Sequence, residues 1–496
     1  MNAILATASA TLALGAAAIL HAEGPPPSKV ATDPIEGIWL GTITAPQGTV
    51  ADLGLEFFRT QRGTLVFKLN FPDMFTYAVP MMIPVEADGR GHYAITPAFD
   101  LDLRLDGGRL SGTFGKGRLP VGLTRSSHFP PRPAGQSYPA GPAPIWRYTM
   151  GAGTWAPPLV EDGTVYVGTS AGQLHAVRAC DGAAVWTWRG EYGIDGRAVA
   201  SPDTIFVLDA RTNLIALDRA RGSLRWLTRL HDERIAGKPA ADNPTFNHRA
   251  ATPLLLDGVI YCGSSDGGLY ALDATTGAVL WRHEAGAPVF SGVGRHGDNT
   301  LMFGTMDGSV VLLDRRSRQE MLRLRTGGGV VTTPIIAAET LIVGSRDYML
   351  YGFHIPDGVL AWRFSYWFSW IESTPVLSGG LVYVGASDYS RVTALDPKTG
   401  RARWATPVHG MNWGTPLLTD EGVFTGTVSQ NIEGTAIAHV GGIVALDRAT
   451  GSVKWQVLAA LPPKGGFGGY AGSLALAANK IIAAGLDGEL VAFPAK

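Results

Sequence analysis

Seven residues of this chain are of types that could gather a ligand. Trp155, Trp370, Trp413 and Tyr470 offer flat aromatic faces, Arg249 a cation, and Glu372 and Asn412 oxygen donors. Aromatic faces stack planar molecules, a guanidinium polarises a carbonyl, and a carboxylate beside an amide oxygen suits Ca²⁺. Their spacing is regular. Trp155, Asp195, Ala250, Ser291, Val331, Glu372, Trp413 and Gly472 follow one another at about forty residues, several of them three positions before Pro158, Pro253, Pro334, Pro375 or Pro416. His248, Arg249, Phe290, Trp370, Asn412 and Tyr470 stand beside them. Asp195 is four intervals from Glu372, so no second acid accompanies the Glu372 and Asn412 pair.

That interval belongs to a repeat occurring eight times, clearest from Gly258 to Trp281. A Gly ends an apolar strand, Ala-Leu-Asp follows about ten residues later, then a Gly four beyond the Asp and a Trp four beyond that. Gly263, Asp273, Gly277 and Trp281 set this frame. Gly385, Asp396, Gly400 and Trp404 repeat it, as do Gly426, Asp447, Gly451 and Trp455 after an insertion. Other copies lose one letter: Leu208 replaces the first Gly, and Arg178 and His354 replace the Asp. The copy around Gly304 and Asp314 is the most eroded, with Arg318 and Leu322 where Gly and Trp belong. The eighth copy reaches Phe493 without its Trp, while Trp146 lies one 40-residue period before Trp186. The N-terminal strand is therefore expected to complete the last sheet and close a ring.

Each copy holds four short strands between Gly-rich turns, and no segment has competing helical periodicity. Repeats of this length and content describe propeller blades. A four-stranded sheet cannot hide both faces alone, so the Trp is expected to cover apolar surface between blades and the Asp to accept backbone N–H groups in its turn. The pattern Ala-Leu-Asp-x-x-Thr-Gly-x-x-x-Trp resembles the tryptophan-docking repeat of the pyrroloquinoline quinone (PQQ)-like propeller superfamily, over Pro144 to Phe493. The resemblance implies an eight-bladed propeller. It leaves two chemistries open, since the superfamily holds quinoprotein alcohol dehydrogenases and a non-enzymatic outer-membrane β-barrel assembly lipoprotein branch. A quinone would use Trp155, Trp370, Trp413 or Tyr470 as a stacking face and Arg249 as the polarising cation, with Ca²⁺ on Glu372 and Asn412.

Composition fits a strand-and-turn protein: 64 Gly in 496 residues, only 17% charged, with a formal net charge of -1. No global field or basic block favours nucleic acid. Ala3 to Leu20 is an apolar run ahead of His21-Ala22-Glu23, read as a signal peptide over residues 1–22, with an uncleaved anchor as the other possibility. The anchor is the one expected membrane contact, and export to the periplasm or beyond is the expected location. No Cys lies near the signal end, which departs from the lipoprotein branch. Cys180 and Cys262 are the two cysteines, expected as free, partly buried thiols too far apart to bridge. Cys-x-x-Cys-His and adjacent cysteines are both missing, which excludes a covalent c-type haem and the vicinal disulfide of many quinoprotein alcohol dehydrogenases.

Residues 35–125 form a different unit. Gly37 to Ile43, Leu53 to Phe58, Leu65 to Phe71, Tyr93 to Thr96, Leu101 to Leu105 and Leu110 to Phe114 read as short strands of a small antiparallel barrel or sandwich. Its Gly-x-Trp-x-Gly opening and Leu-Ser-Gly-Thr-Phe run resemble lipocalin-like accessory domains, which implies an accessory or docking unit, with a ligand carrier as the other reading. Residues 126–143 are a proline-rich linker, and 144–496 the propeller. Two insertions, His231 to His248 and Gln430 to His439, enlarge loops of the ring and bring His248 and His439 as candidate metal ligands without a partner at ligand spacing. Serine-hydrolase, phosphate-loop and zinc-protease motifs are absent, and Gly327-Gly328-Gly329 precedes a strand rather than a helix. The expected protein is an exported all-β scaffold that binds a protein, peptide or glycan at its rim, with no cofactor. The alternative is a PQQ- and Ca²⁺-dependent dehydrogenase of alcohols or sugars.

Overall fold

The computed structural model describes residues 33–74, 76–81, 83–95, 100–115, 118–131, 138–230, 251–367, 369–431 and 438–496. The expected signal peptide at 1–22, the His231 to His248 insertion with Arg249 and Ala250, and residues 432–437 of the second insertion lie outside them. Among the described residues the single helical element is a 3-10 turn at Pro72–Met74, and no helix is long and apolar enough to cross a membrane.

The first unit is one antiparallel sheet of nine strands: β1 Gly37–Thr44, β2 Val50–Arg59, β3 Leu65–Phe71, β4 Thr76–Met81, β5 Glu86–Ala87, β6 His92–Ile95, β7 Leu101–Asp106, β8 Arg109–Phe114 and β9 Leu119–Ser126. Their order, β4-β3-β2-β1-β9-β8-β7-β6-β5, curls into a nearly closed barrel in which the last strand β9 pairs with the first and joins the two halves of the sheet, with β4 and β5 at its edges. Sequence reading missed β4, β5 and β9. β9 carries Pro120 and Gly122, which weaken a strand pattern, yet it sits at the centre of the sheet between β1 and β8. Inward residues Trp39, Leu55, Phe57, Phe67, Leu103, Phe114 and Leu123 alternate along the strands and pack the interior.

The second unit is a ring of eight sheets. Blade 1 is built from Leu159–Glu161, Thr164–Gly168, Gln173–Arg178 and Ala184–Arg189, and blades 2 to 6 repeat the pattern up to Ala402–Pro407. Blade 7 pairs Leu417–Thr419, Gly422–Asn431, Gly442–Leu446 and Val453–Leu458, and two more strands, Ala438–His439 and Phe467–Gly469, pair with the overlong second strand. Blade 8 takes three strands from the C-terminal end and its fourth from Trp146–Thr149, with Trp146 opposite Ala492. The expected ring closure is therefore present.

The frame letters have visible roles. The Asp carboxylates accept the turn's N–H groups: Asp273 Oδ1 takes Thr275 N at 3.0 Å and Thr276 N at 2.8 Å, and Asp396 and Asp447 do the same. These bonds pull all three carboxylates below the ordinary aspartate range. Each Trp lies over the turn glycine of the next copy, Trp186 on Gly222, Trp226 on Gly277, Trp362 on Gly400 and Trp404 on Gly451. Trp186, Trp362 and Trp404 also donate to the next turn, to the carbonyls of Arg219, Pro397 and Arg448 at 2.9, 2.9 and 3.2 Å. In the eroded copy Leu322 and Leu324 sit against Gly358, and Arg318 adopts a φ of 62° with its guanidinium 6.0 Å from the Trp281 ring. The two cysteines are both free, but Cys180 is exposed and Cys262 fully buried. This corrects the expectation of two half-buried thiols: Cys180 falls in the solvent-facing turn after the third strand, Cys262 inside the second strand.

Candidate functional site

Eight first strands surround the ring axis, and the residues leading into them line a cavity of about 710 Å³. Its upper collar holds Trp155, Asp195, Phe290, Val331, Glu372, Trp413 and Ala471, with position 250 outside the described residues. Two residues further in, a second collar holds Pro157, Arg197, Thr252, Gly292, Thr333, Thr374, Thr415 and Ser473. Sequence counting placed Ser291 in the upper collar, but its side chain is buried and its hydroxyl bridges Gly304 N and O at 2.7 and 3.1 Å. Phe290, one residue earlier, occupies that place. Gly472 lines the wall as expected.

Trp155 and Trp413 meet at 5.1 Å between ring centroids although blade 8 lies between their blades. Blade 8 presents Ala471 there, small enough for the indoles to close over it. Phe467 completes the cluster, 6.4 Å from Trp155 and 6.1 Å from Trp413. Sequence reasoning passed over Phe467, and the available signal was a lone aromatic in the Gly465-Gly466-Phe467-Gly468-Gly469 run. Trp413 Nε1 donates to Ser387 Oγ, which fixes its ring, while Trp155 is half-buried and reachable.

The other expected ligand residues do not converge. Glu372 reaches the cavity wall, but its Oε1 accepts from Arg346 Nη2 at 2.8 Å and Nε at 3.0 Å. The Arg346 guanidinium lies 4.7 Å from the Trp370 ring, so Trp370 backs this ion pair and is not part of the cavity lining. Asn412 is fully buried, its amide donating to Thr425 Oγ1 and to Gly426 O at 2.8 Å. Tyr470 is buried behind Ala471, and that burial pushes its phenol up to about 12. Arg249 lies outside the described residues.

A Ca²⁺-bound quinone would require Glu372 and Asn412 to direct oxygens at one ion. Glu372 already faces an internal cation, and Asn412 is turned into the blade 7 wall. The residues present do not fit that group. Among the described residues, no three His, Cys, Asp or Glu side chains gather in a metal-binding cluster.

Comparison with known proteins decides the family. The profile described as "Outer membrane protein assembly factor BamB" matches residues 139–193, 187–291, 270–368 and 367–496, the whole ring. The chain belongs to the BamB family. BamB of Yersinia pestis is 26% identical over 258 residues, which cover 49% of this chain and 61% of that protein. The chain thus spans about three fifths of the length of this BamB relative. Quinoprotein ethanol dehydrogenase of Pseudomonas aeruginosa is 36% identical over 69 residues, 14% of this chain and 11% of that one. A solved quinohemoprotein alcohol dehydrogenase from Pseudomonas putida HK5 superposes with a TM-score of 0.54 at 13% identity, covering 71% of this chain and 76% of that one. At that identity the likeness is one of fold.

Proposed function

We propose that this BamB-family chain is an exported binding and scaffolding protein that holds a polypeptide at the aromatic mouth of its propeller. The observation that carries the reading is the state of Glu372, whose charge is met by Arg346 inside the wall, leaving a mouth of Trp155, Trp413 and Phe467. The half-buried faces of Trp155 and Phe467, backed by the buried Trp413 beside a preformed cavity, are a low-entropy contact surface for another chain. Family membership supports a protein partner, since the matching relatives are outer membrane protein assembly factors. It also supports action outside the cytoplasm, in line with the apolar run from Ala3 to Leu20. The dehydrogenase reading is favoured by the quinoprotein likeness, but that likeness covers 14% of the chain, and the Glu372 and Asn412 geometry opposes it.

The test sets both readings against one sample. Labelled peptides copied from outer-membrane β-strands are expected to give a saturable anisotropy rise that Trp155→Ala weakens several-fold. In parallel, PQQ with Ca²⁺ is expected to leave no bound-quinone absorbance. Quinone binding together with alcohol-dependent dye reduction, both lost in Glu372→Gln, would overturn the scaffold reading.

A further inference from the structure

The second collar of the cavity is neutral in seven of its eight positions. Hydroxyls of this collar are tied round the ring, Thr374 Oγ1 accepting Thr333 N at 3.2 Å and Ser473 Oγ accepting Thr415 N at 2.8 Å. The exception is Arg197, which blade 2 places where the neighbouring blades carry Pro157 and Thr252. Among the described residues Arg197 has no hydrogen bond and no ion pair. Its guanidinium is reachable from the cavity but ringed by protein. That desolvation draws its pKa below the ordinary arginine value, with Glu161 the charge that pulls it back up. Arginine stays protonated under such shifts, so the collar holds a fixed positive charge.

An arginine inside a walled channel that no described residue pairs is a ready donor for an anion, because its planar fork can make two parallel bonds to one oxyanion. The other carboxylates at this end are disposed elsewhere: Glu372 on Arg346, and Asp195 accepting Ser170 Oγ at 2.7 Å. Building on the polypeptide-binding reading, we propose that Arg197 anchors a carboxylate of the bound chain inside the propeller channel. The aromatic mouth holds the flanking residues. A carboxylate suits the site better than a phosphate, since Asp195, two residues away on the upper collar, repels a dianion more than a monoanion.

Calorimetric titration of the full chain with three short peptides of one aromatic sequence tests this: a free C-terminus, an amidated C-terminus, and an amidated C-terminus with one internal Glu. The free-carboxylate peptide is expected to bind on the order of tenfold or more tighter than its amide. Equal gain from the internal Glu would assign the anchor to acidic side chains as well as to chain ends. Arg197→Gln is expected to bring the two carboxylate-bearing peptides down to the affinity of the amide while leaving the melting temperature unchanged, because Arg197 bonds to no other described residue. Arg197→Lys should recover part of the gain, and Asp195→Asn should tighten carboxylate binding. Equal affinity for acid and amide, or Arg197→Gln binding like wild type, overturns the anchor. If Trp155→Ala weakens binding while Arg197→Gln does not, the polypeptide reading stands and the anchor falls. If no peptide binds, both fall. Competition by millimolar inorganic phosphate stronger than that of acetate would reassign the collar to phosphate.

Discussion

Arg346 decides what Glu372 can do, and nothing in the local sequence announces that pairing across 26 positions. Residue types at the mouth were legible; the direction of each side chain was not. A second residue shows the same limit. His175 belongs to blade 1, yet its Nδ1 lies 3.1 Å from Tyr148 Oη on the strand that closes blade 8, and 3.2 Å from Thr187 Oγ1. Its Nε2 is buried without a partner among the described residues, and burial holds the imidazole below the usual histidine value. The unfolded chain therefore binds the proton more readily than the folded one, so stability is intact above about pH 6.5 and falls as pH drops below it. Urea midpoints at pH 7.5 and 5.5 should separate more for wild type than for His175→Gln. An equal separation in both would exclude His175 as a source of the dependence.

At the scale of the element, the repeat's small letters turn out to be as informative as its large ones. The Ala of Ala-Leu-Asp stands opposite the Trp in the strand pairing, Ala176 to Trp186, Ala216 to Trp226, Ala271 to Trp281, Ala394 to Trp404 and Ala445 to Trp455. A bulge follows at once in each of these pairs. In the eroded blade both partners change together, Leu312 facing Leu322, so volume lost from the Trp is returned by the Ala position. The sequence frame recorded the missing Trp but not this compensation. Two turn glycines separate backbone strain from packing. Gly258 has a φ of +74° with open space around it, whereas Gly400 has a φ of +66° and a Cβ there would come within 2.5 Å of the Trp362 ring. Gly258→Ala is expected to cost about 1–2 kcal/mol, the left-handed penalty alone. Gly400→Ala should cost about 1–3 kcal/mol more through displacement of the indole. Denaturant midpoints measure both, and equal losses would mean that the indole moves aside freely.

For the whole molecule, two contacts outside the repeat complete the architecture. Pro139–Gly141 runs along the outer strand of blade 7, with Gly141 N donating to Gln456 O at 2.6 Å and Gln456 N to Pro139 O at 2.9 Å. Gly141 there covers Trp455, as Gly182 covers Trp146 in the next blade pair. The nine-stranded sheet docks on blades 5 and 6: Phe71 meets Trp367 edge-on at 5.6 Å, Asp73 accepts Arg391 Nη2 at 2.7 Å, and Gln47 makes two 3.1 Å bonds to the Ser365 backbone. Trp367 is buried with a φ of 60°, and one apolar cluster runs from the sheet into these blades. Trp367→Ala should therefore cost about 3–5 kcal/mol of docking. In calorimetry the sheet is expected to melt ahead of the propeller in this variant and together with it in wild type. Coincident, unshifted transitions in the variant would show that the shared cluster carries no coupling.

The sequence by itself determined the eight blades, their frame glycines and tryptophans, and the closing role of Trp146, because a repeated sheet must bury both faces against copies of itself and so must repeat its packing residues. It also located the mouth to within one residue in the seven blades whose mouth position is described. Only the tertiary structure decided which mouth residues act together. Trp155 and Trp413 meet because Ala471 between them is small, Glu372 is paired with Arg346 from a turn of the neighbouring blade, and Arg197 has no partner among the described residues of a hydroxyl-rich collar. Those outcomes depend on distances across the ring, between residues far apart in the chain.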